Sequence, residues 1–180
     1  SSTPTASSSR LLTGNSAAYI QLEETLRRLY GAEAALVFGS GYHANTGILP
    51  AIADRDAEIF ADKLVHASLV DGIRLAQARH ARFRHNDVAD LRRLLAESSD
   101  RNPNGARIVV TESLFSMDGD AADLRALVSL KREFPNVLLY VDEAHAVGVR
   151  GPTGLGLAEE AGTLADVDFL VGTFGKALAS

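Results

Sequence analysis

The sequence predicts an α/β domain with a mostly parallel sheet flanked by helices on both faces. Two observations carry this. Short apolar runs alternate with stretches of helical periodicity throughout the 180 residues. The polar groups suited to chemistry then fall just beyond several of those runs, where ligands gather in parallel α/β sheets.

Taken in order, Ser1 to Ser9 form a polar lead-in, expected to be flexible, and residues 10–180 are expected to form the domain. Ser16 can cap a helix over residues 17–30, with Ile20, Leu22, Leu26 and Leu29 as its apolar positions. Ala34 to Phe38 reads as a buried strand, ended by Gly39-Ser40-Gly41, and a helix follows over residues 42–51. Ala57 to Ala61 is a second strand, followed by a helix from His66 to Ala78 and a short strand over residues 81–84. Asp87 opens a helix with Val88, Leu91, Leu94 and Leu95 on one side. Arg107 to Glu112, residues 121–133 and Val137 to Asp142 then read as strand, helix and strand. Residues 168–172 supply the last strand.

Composition narrows the function. Hydrophobic residues make up 46% and charged residues 23%, near the averages for soluble globular proteins. The formal net charge of −5 argues against a nucleic-acid footprint. Cysteine is absent, which excludes disulfides and thiolate metal sites and fits a reducing cytosol; no metal site is expected. No apolar run approaches the roughly 20 residues of a membrane span. The expected setting is therefore the cytoplasm. The missing initiator methionine and the Gly/Ala/Ser-rich ending lead to the expectation that both ends are cut from a longer chain.

Four places could carry chemistry. Gly39 to Asn45 joins strand to helix, and such a junction offers free N–H groups and a positive dipole end to a phosphate; the plainer reading is an ordinary turn. It is not a Walker loop, since no Gly-Lys-Ser/Thr follows. Asp142 ends a strongly apolar strand and needs a partner there, either an arginine or helix end, or a cationic ring nitrogen. Lys176 follows Gly172-Thr173-Phe174-Gly175, where small residues would admit a planar group beside an imine-forming amine. His66 begins a helix, where capping or packing is the ordinary role of a histidine. Gly151 to Gly156 lies too far from its strand for a dinucleotide loop and reads as a plain loop. Ser116, His145 and Asp142 could form a hydrolase triad, although no Gly-x-Ser-x-Gly elbow is present.

With these residues assembled, the sequence resembles the α-oxoamine synthase family of fold-type I pyridoxal-phosphate enzymes, from about Ser7 to Ser180. Six segments carry the likeness in series: Gly41 to Asn45, Asp62 to Ser68, His85 to Asp87, Thr111 to Asp120, Val141 to Gly148, and Gly172 to Ala177. The resemblance implies the large domain of the aspartate aminotransferase-like fold, with the C-terminal small domain absent. It implies pyridoxal 5'-phosphate held covalently, as an imine, on Lys176, which then acts as acid and base at the substrate α-carbon. Asp142 would bind the ring nitrogen and His66 would stack on the ring. Ser116 and His145 would flank the phenolic oxygen. Gly41 and Tyr42 would offer backbone amides near the cofactor, and Thr173 would contact its phosphate.

The implied reaction joins a small amino acid to an acyl-CoA or acyl-carrier-protein thioester with loss of carbon dioxide, in a homodimer. Asp142 to His145 and Phe115 to Asp120 are most similar to the branch that joins L-alanine to a pimeloyl thioester in biotin synthesis. Branches that use glycine or serine share most of these cofactor residues. Tyr19 departs from the histidine of many relatives. A binding module that kept this fold without its chemistry is the alternative from another class.

Overall fold

Parallel strands in the order β2-β1-β3-β4-β5 form the frame. The computed structural model describes residues 17–116 and 119–173. Within these, α1 is Ala17–Tyr30, α2 Gly41–Ile52, β1 Glu58–Asp62, α3 Ala67–Leu75, β2 Arg79–Phe83, and α4 Val88–Arg101. The chain continues as β3 Arg107–Glu112, α5 Leu124–Glu133, β4 Val137–Asp142, the single turn α6 Leu157–Glu160, and β5 Phe169–Val171. Every residue of β1 and β3 is buried, as expected of central strands covered on both faces. Edge strand β2 is largely exposed and carries Arg79, His80 and Arg82, which discourage edge-to-edge pairing.

Chain order and sheet order place a switch point between β1 and β3, because β2 lies on one side of β1 and β3 on the other. Helices α2 and α3 pack together on the face that displays Tyr140 and Asp142, to which Asn45 of α2 is hydrogen-bonded. Helices α4 and α5 contact each other, with α4 against β1 and β2 and α5 against β4. Register sets Glu112 beside Asp142 and Ala61 beside Val110, so Asp62 and Thr111 point to the opposite face. At this carboxyl edge three acids end three adjacent strands: Asp62, Glu112 and Asp142, all buried.

The α/β expectation holds, and the central strands over 107–112 and 137–142 fall as expected. Of the strand expected over residues 34–38, only a single bridge at Phe38 is present among the described residues. Residues 34–37 have no regular structure, Leu36 is 63% exposed, and the Val37 N–H is taken by the Glu23 carboxylate at 2.9 Å. The strand expected over residues 81–84 lies earlier, as β2 over Arg79–Phe83. The helix expected over 121–133 begins later, at Leu124, capped by the Asp123 carboxylate on Ala126 N–H. Of the apolar positions of α1, Ile20 and Leu29 lie exposed, and Glu23 is its buried residue. The lead-in, the Ser16 cap and Lys176 lie outside the described residues. Among the described residues, no helix is long and apolar enough to cross a membrane.

Candidate active site at the carboxyl edge

Asp142 is the centre of the site. It ends β4 and is 6% exposed. Its Oδ2 accepts from Asn45 Nδ2 at 2.9 Å and its Oδ1 from the Ala144 N–H at 2.9 Å. No arginine or lysine pairs with it among the described residues, so two neutral donors hold a carboxylate whose charge is left unneutralised. The Asn45 amide also donates to Ser68 Oγ at 3.0 Å and accepts from Tyr140 Oη at 2.6 Å. Burial pushes the Tyr140 hydroxyl far up, with the Asp142 charge adding to the effect, which keeps that hydroxyl a donor.

Glu112 lies beside Asp142 in the register, and its Oε2 accepts the His66 N–H at 2.7 Å. Burial pushes its carboxyl up to about 7; the His66 N–H opposes this, while Asp142 and Asp62 add to it. The floor of the site is thus a pair of acids short of positive charge. That suits a cationic ring nitrogen better than an anionic or apolar group.

His66 caps α3 and stands exposed beside this floor. Its Nδ1 accepts from the Ser68 N–H at 3.1 Å and lies 3.1 Å from Ser68 Oγ. Because Asn45 donates into that Oγ, the hydroxyl proton is free for Nδ1. With Nδ1 accepting, the ring's N–H is the one at Nε2. Its capping role and a role over a ligand ring are compatible, since the first uses Nδ1 and the second the ring face.

At the head of α2, Ser40 Oγ accepts the His43 N–H at 3.1 Å and Ser40 O the Ala44 N–H at 3.0 Å. The N–H groups of Gly41 and Tyr42 have no partner among the described residues, as first-turn amides must without a ligand. Thr173, two residues beyond β5, comes close to them: a Cβ on Gly41 would meet its Cγ2 at 3.4 Å. Thr173 Oγ1 donates to Ala144 O at 3.5 Å. Two amides without a partner among the described residues and a helix dipole thus offer a place for a phosphate, with the Thr173 methyl beside them. The Tyr42 hydroxyl turns away to Asp71 at 3.0 Å.

His145 is exposed in the turn after β4, and Ser116 is exposed in the loop after β3. That loop is braced by His85, whose Nδ1 lies 2.9 Å from Asp62 and whose Nε2 lies 2.9 Å from Asp120. The hydrolase reading fails on Asp142: both of its oxygens are engaged by Asn45 and Ala144 rather than by an imidazole. Gly151 to Gly156 is a loop, as expected, held by the Glu159 carboxylate, which accepts the Thr153 N–H at 3.0 Å and the Leu155 N–H at 3.1 Å; Glu143 lies beneath Gly156. The buried Glu143 carboxylate accepts from Ser113 Oγ at 2.5 Å, Leu157 N at 2.7 Å and Ala158 N at 3.0 Å. Its crowding beneath Gly156 leaves no room there for a Cβ, which would lie 2.7 Å from the carboxylate.

The residues that the sequence reading gave no role are Asn45, Ser68 and Glu112. Asn45 and Ser68 sit within segments that resembled the family, but their function depends on α2 and α3 packing together over β4. The signal for Glu112 is a carboxylate at the end of a strand with the apolar run Ile108-Val109-Val110, a weaker form of the signal that marks Asp142.

Comparison with known proteins gives the family. The model of the family described as aminotransferase class I and II matches residues 4–180. A protein of Pasteurella multocida (strain Pm70), named as a candidate 8-amino-7-oxononanoate synthase, is 60% identical over 176 residues, covering 98% of this chain and 45% of its own. The serine palmitoyltransferase of Sphingomonas wittichii superposes with a TM-score of 0.88 at 40% identity, over 97% of this chain and 43% of that one. The serine palmitoyltransferase of S. paucimobilis, solved with a bound PLP–myriocin aldimine, gives 0.87 at 38% identity, over 96% and 44% of the two chains. The chain spans less than half the length of the curated relatives it matches. The edge that gathers Asp142, His66, Gly41 and Thr173 therefore lies in a chain that belongs to the aminotransferase class I and II family, in its α-oxoamine synthase branch.

Proposed function

We propose that the full-length protein is a pyridoxal-phosphate-dependent acyltransferase that joins L-alanine to a pimeloyl thioester, releasing carbon dioxide and the free thiol. The cofactor is the one its family uses. The observation that carries the reading is the buried, unneutralised Asp142 carboxylate, bonded by Asn45 of the helix whose first-turn amides have no partner among the described residues. The choice of substrates is supported by 60% identity to a candidate 8-amino-7-oxononanoate synthase.

Bound pyridoxal phosphate supplies an electron sink for negative charge at the amino acid's α-carbon. Asp142 accepts the ring nitrogen's proton in a hydrogen bond and keeps that nitrogen cationic. The Gly41 and Tyr42 N–H groups with Thr173 Oγ1 bind the phosphate, and Ser116 and His145 flank the phenolic oxygen. His66 covers the ring and excludes water from its face. Lys176 anchors the cofactor and moves the proton at the substrate α-carbon, the one general acid–base task the reaction needs. A cytoplasmic homodimer is part of the proposal.

The test is thiol release by the full-length protein with L-alanine, glycine or L-serine, each paired with pimeloyl, acetyl, succinyl or palmitoyl thioesters. The expected result is a kcat/KM for L-alanine with the pimeloyl thioester at least about tenfold above every other pair, a difference one or two well-made contacts supply. Preference for another pair would move the protein to that activity. No turnover with any pair, despite bound cofactor, would leave a binding module.

A further inference from the structure

We infer that Asn45 is a positioning residue, whose amide sets the direction of the Asp142 carboxylate and, through Ser68, the orientation of the His66 ring. This rests on the assignment of Asp142 to the ring nitrogen of bound pyridoxal phosphate.

Asn45 is wholly buried on α2, and its amide has one admissible orientation. An ionised carboxylate only accepts, so the NH2 group must face Asp142 Oδ2 at 2.9 Å. Its second hydrogen then goes to Ser68 Oγ at 3.0 Å. The amide oxygen is left to Tyr140 Oη at 2.6 Å, which must donate. Every polar group of this buried side chain is used, and a flip would turn the amide oxygen onto the Asp142 carboxylate, which cannot donate to it.

The chemical nature of the donor matters as much as its place. A lysine or arginine in this position would orient Asp142 equally well but would neutralise it, and with it the attraction for a protonated ring nitrogen. An amide orients the carboxylate and leaves its charge intact. The Ala144 N–H on Oδ1 is likewise neutral. The same amide fixes Ser68 Oγ as an acceptor, which directs the hydroxyl proton to His66 Nδ1. One side chain thus ties the group at the ring nitrogen to the group over the ring face. The titratable groups around it are Asp142 and Tyr140 from β4, Glu112 from β3 and His66 at the head of α3.

The experiment measures pyridoxal phosphate dissociation constants by fluorescence titration, with absorption spectra from pH 5 to 8. It uses the full-length protein and its Asn45→Ala, Asn45→Asp, Tyr140→Phe and Asp142→Ala variants. Asn45→Ala is expected to bind the cofactor about tenfold or more weakly, the scale of a lost hydrogen bond to a charged group. Asn45→Asp, nearly identical in shape, is expected to lose affinity relative to the parent progressively as pH rises. Its introduced carboxyl can donate to Asp142 only while protonated. A purely structural role would give a loss independent of pH. Tyr140→Phe frees the amide oxygen and is expected to shift affinity in the same direction by less. Parental affinity and spectra in both Asn45 variants, with affinity lost in Asp142→Ala, would overturn the inference alone. Unchanged affinity in Asp142→Ala would overturn the assignment on which it rests. Should Asn45→Ala not fold, the isosteric Asn45→Asp decides.

Discussion

A carboxylate at the end of an apolar strand is costly to bury, and Asp142 is held there by two neutral donors, Asn45 and the Ala144 N–H. Glu112 ends β3, and the register sets it beside Asp142. Its carboxyl, raised by burial from 4.5 to about 7, has a definite consequence for stability. In that window the unfolded chain has released this proton while the folded one still holds it, so stability falls as pH rises. In the cofactor-free protein the loss from this group is expected to be on the order of 3 kcal/mol. Urea unfolding across that pH range should show Glu112→Gln spared most of the fall. An identical pH dependence in both proteins would contradict the assignment.

At the scale of elements, β1, β3, β4 and α4 were readable from periodicity and capping. The misread strand over residues 34–38 shows the limit of that signal. An apolar run reads as a buried strand in isolation, but here its Val37 N–H meets a side chain of α1, and among the described residues only Phe38 is bridged. Arg107 is a second case: it opens β3 in the sequence, and only the fold shows it buried. There it binds the carbonyls of Gly105 and Pro135, both at 3.0 Å, and that of Ser98 at 3.2 Å.

The loop that carries Ser116 depends on a tertiary clamp of the same kind, His85 between Asp62 and Asp120. Burial alone would lower the His85 pKa, but its bonds and charge attraction to the two carboxylates together raise it above 6.5. A raised histidine pKa means stabilisation that is complete below the unfolded value and is lost as pH rises through the folded one. The stability gap between the parent and His85→Gln should therefore be widest near pH 5.5 and shrink towards pH 8. A gap that does not change with pH would show that the clamp works uncharged.

For the whole molecule, the α/β class followed from alternation, and the position of the site followed from the rule that ligands gather at a sheet's carboxyl edge. What the sequence could not reveal was how that edge is wired. Asn45 and Ser68 are separated by 23 residues and meet because α2 and α3 pack on one face of the sheet. The central claim concerns the cofactor and its lysine. The most direct measurement is the visible spectrum of the full-length protein with pyridoxal phosphate, followed by borohydride reduction and peptide mapping, beside Lys176→Ala. A protonated-imine band in the parent alone, with the phosphopyridoxyl group recovered on the Lys176 peptide, is the expected result. No band in the folded full-length parent, or trapping on another lysine, would contradict the account.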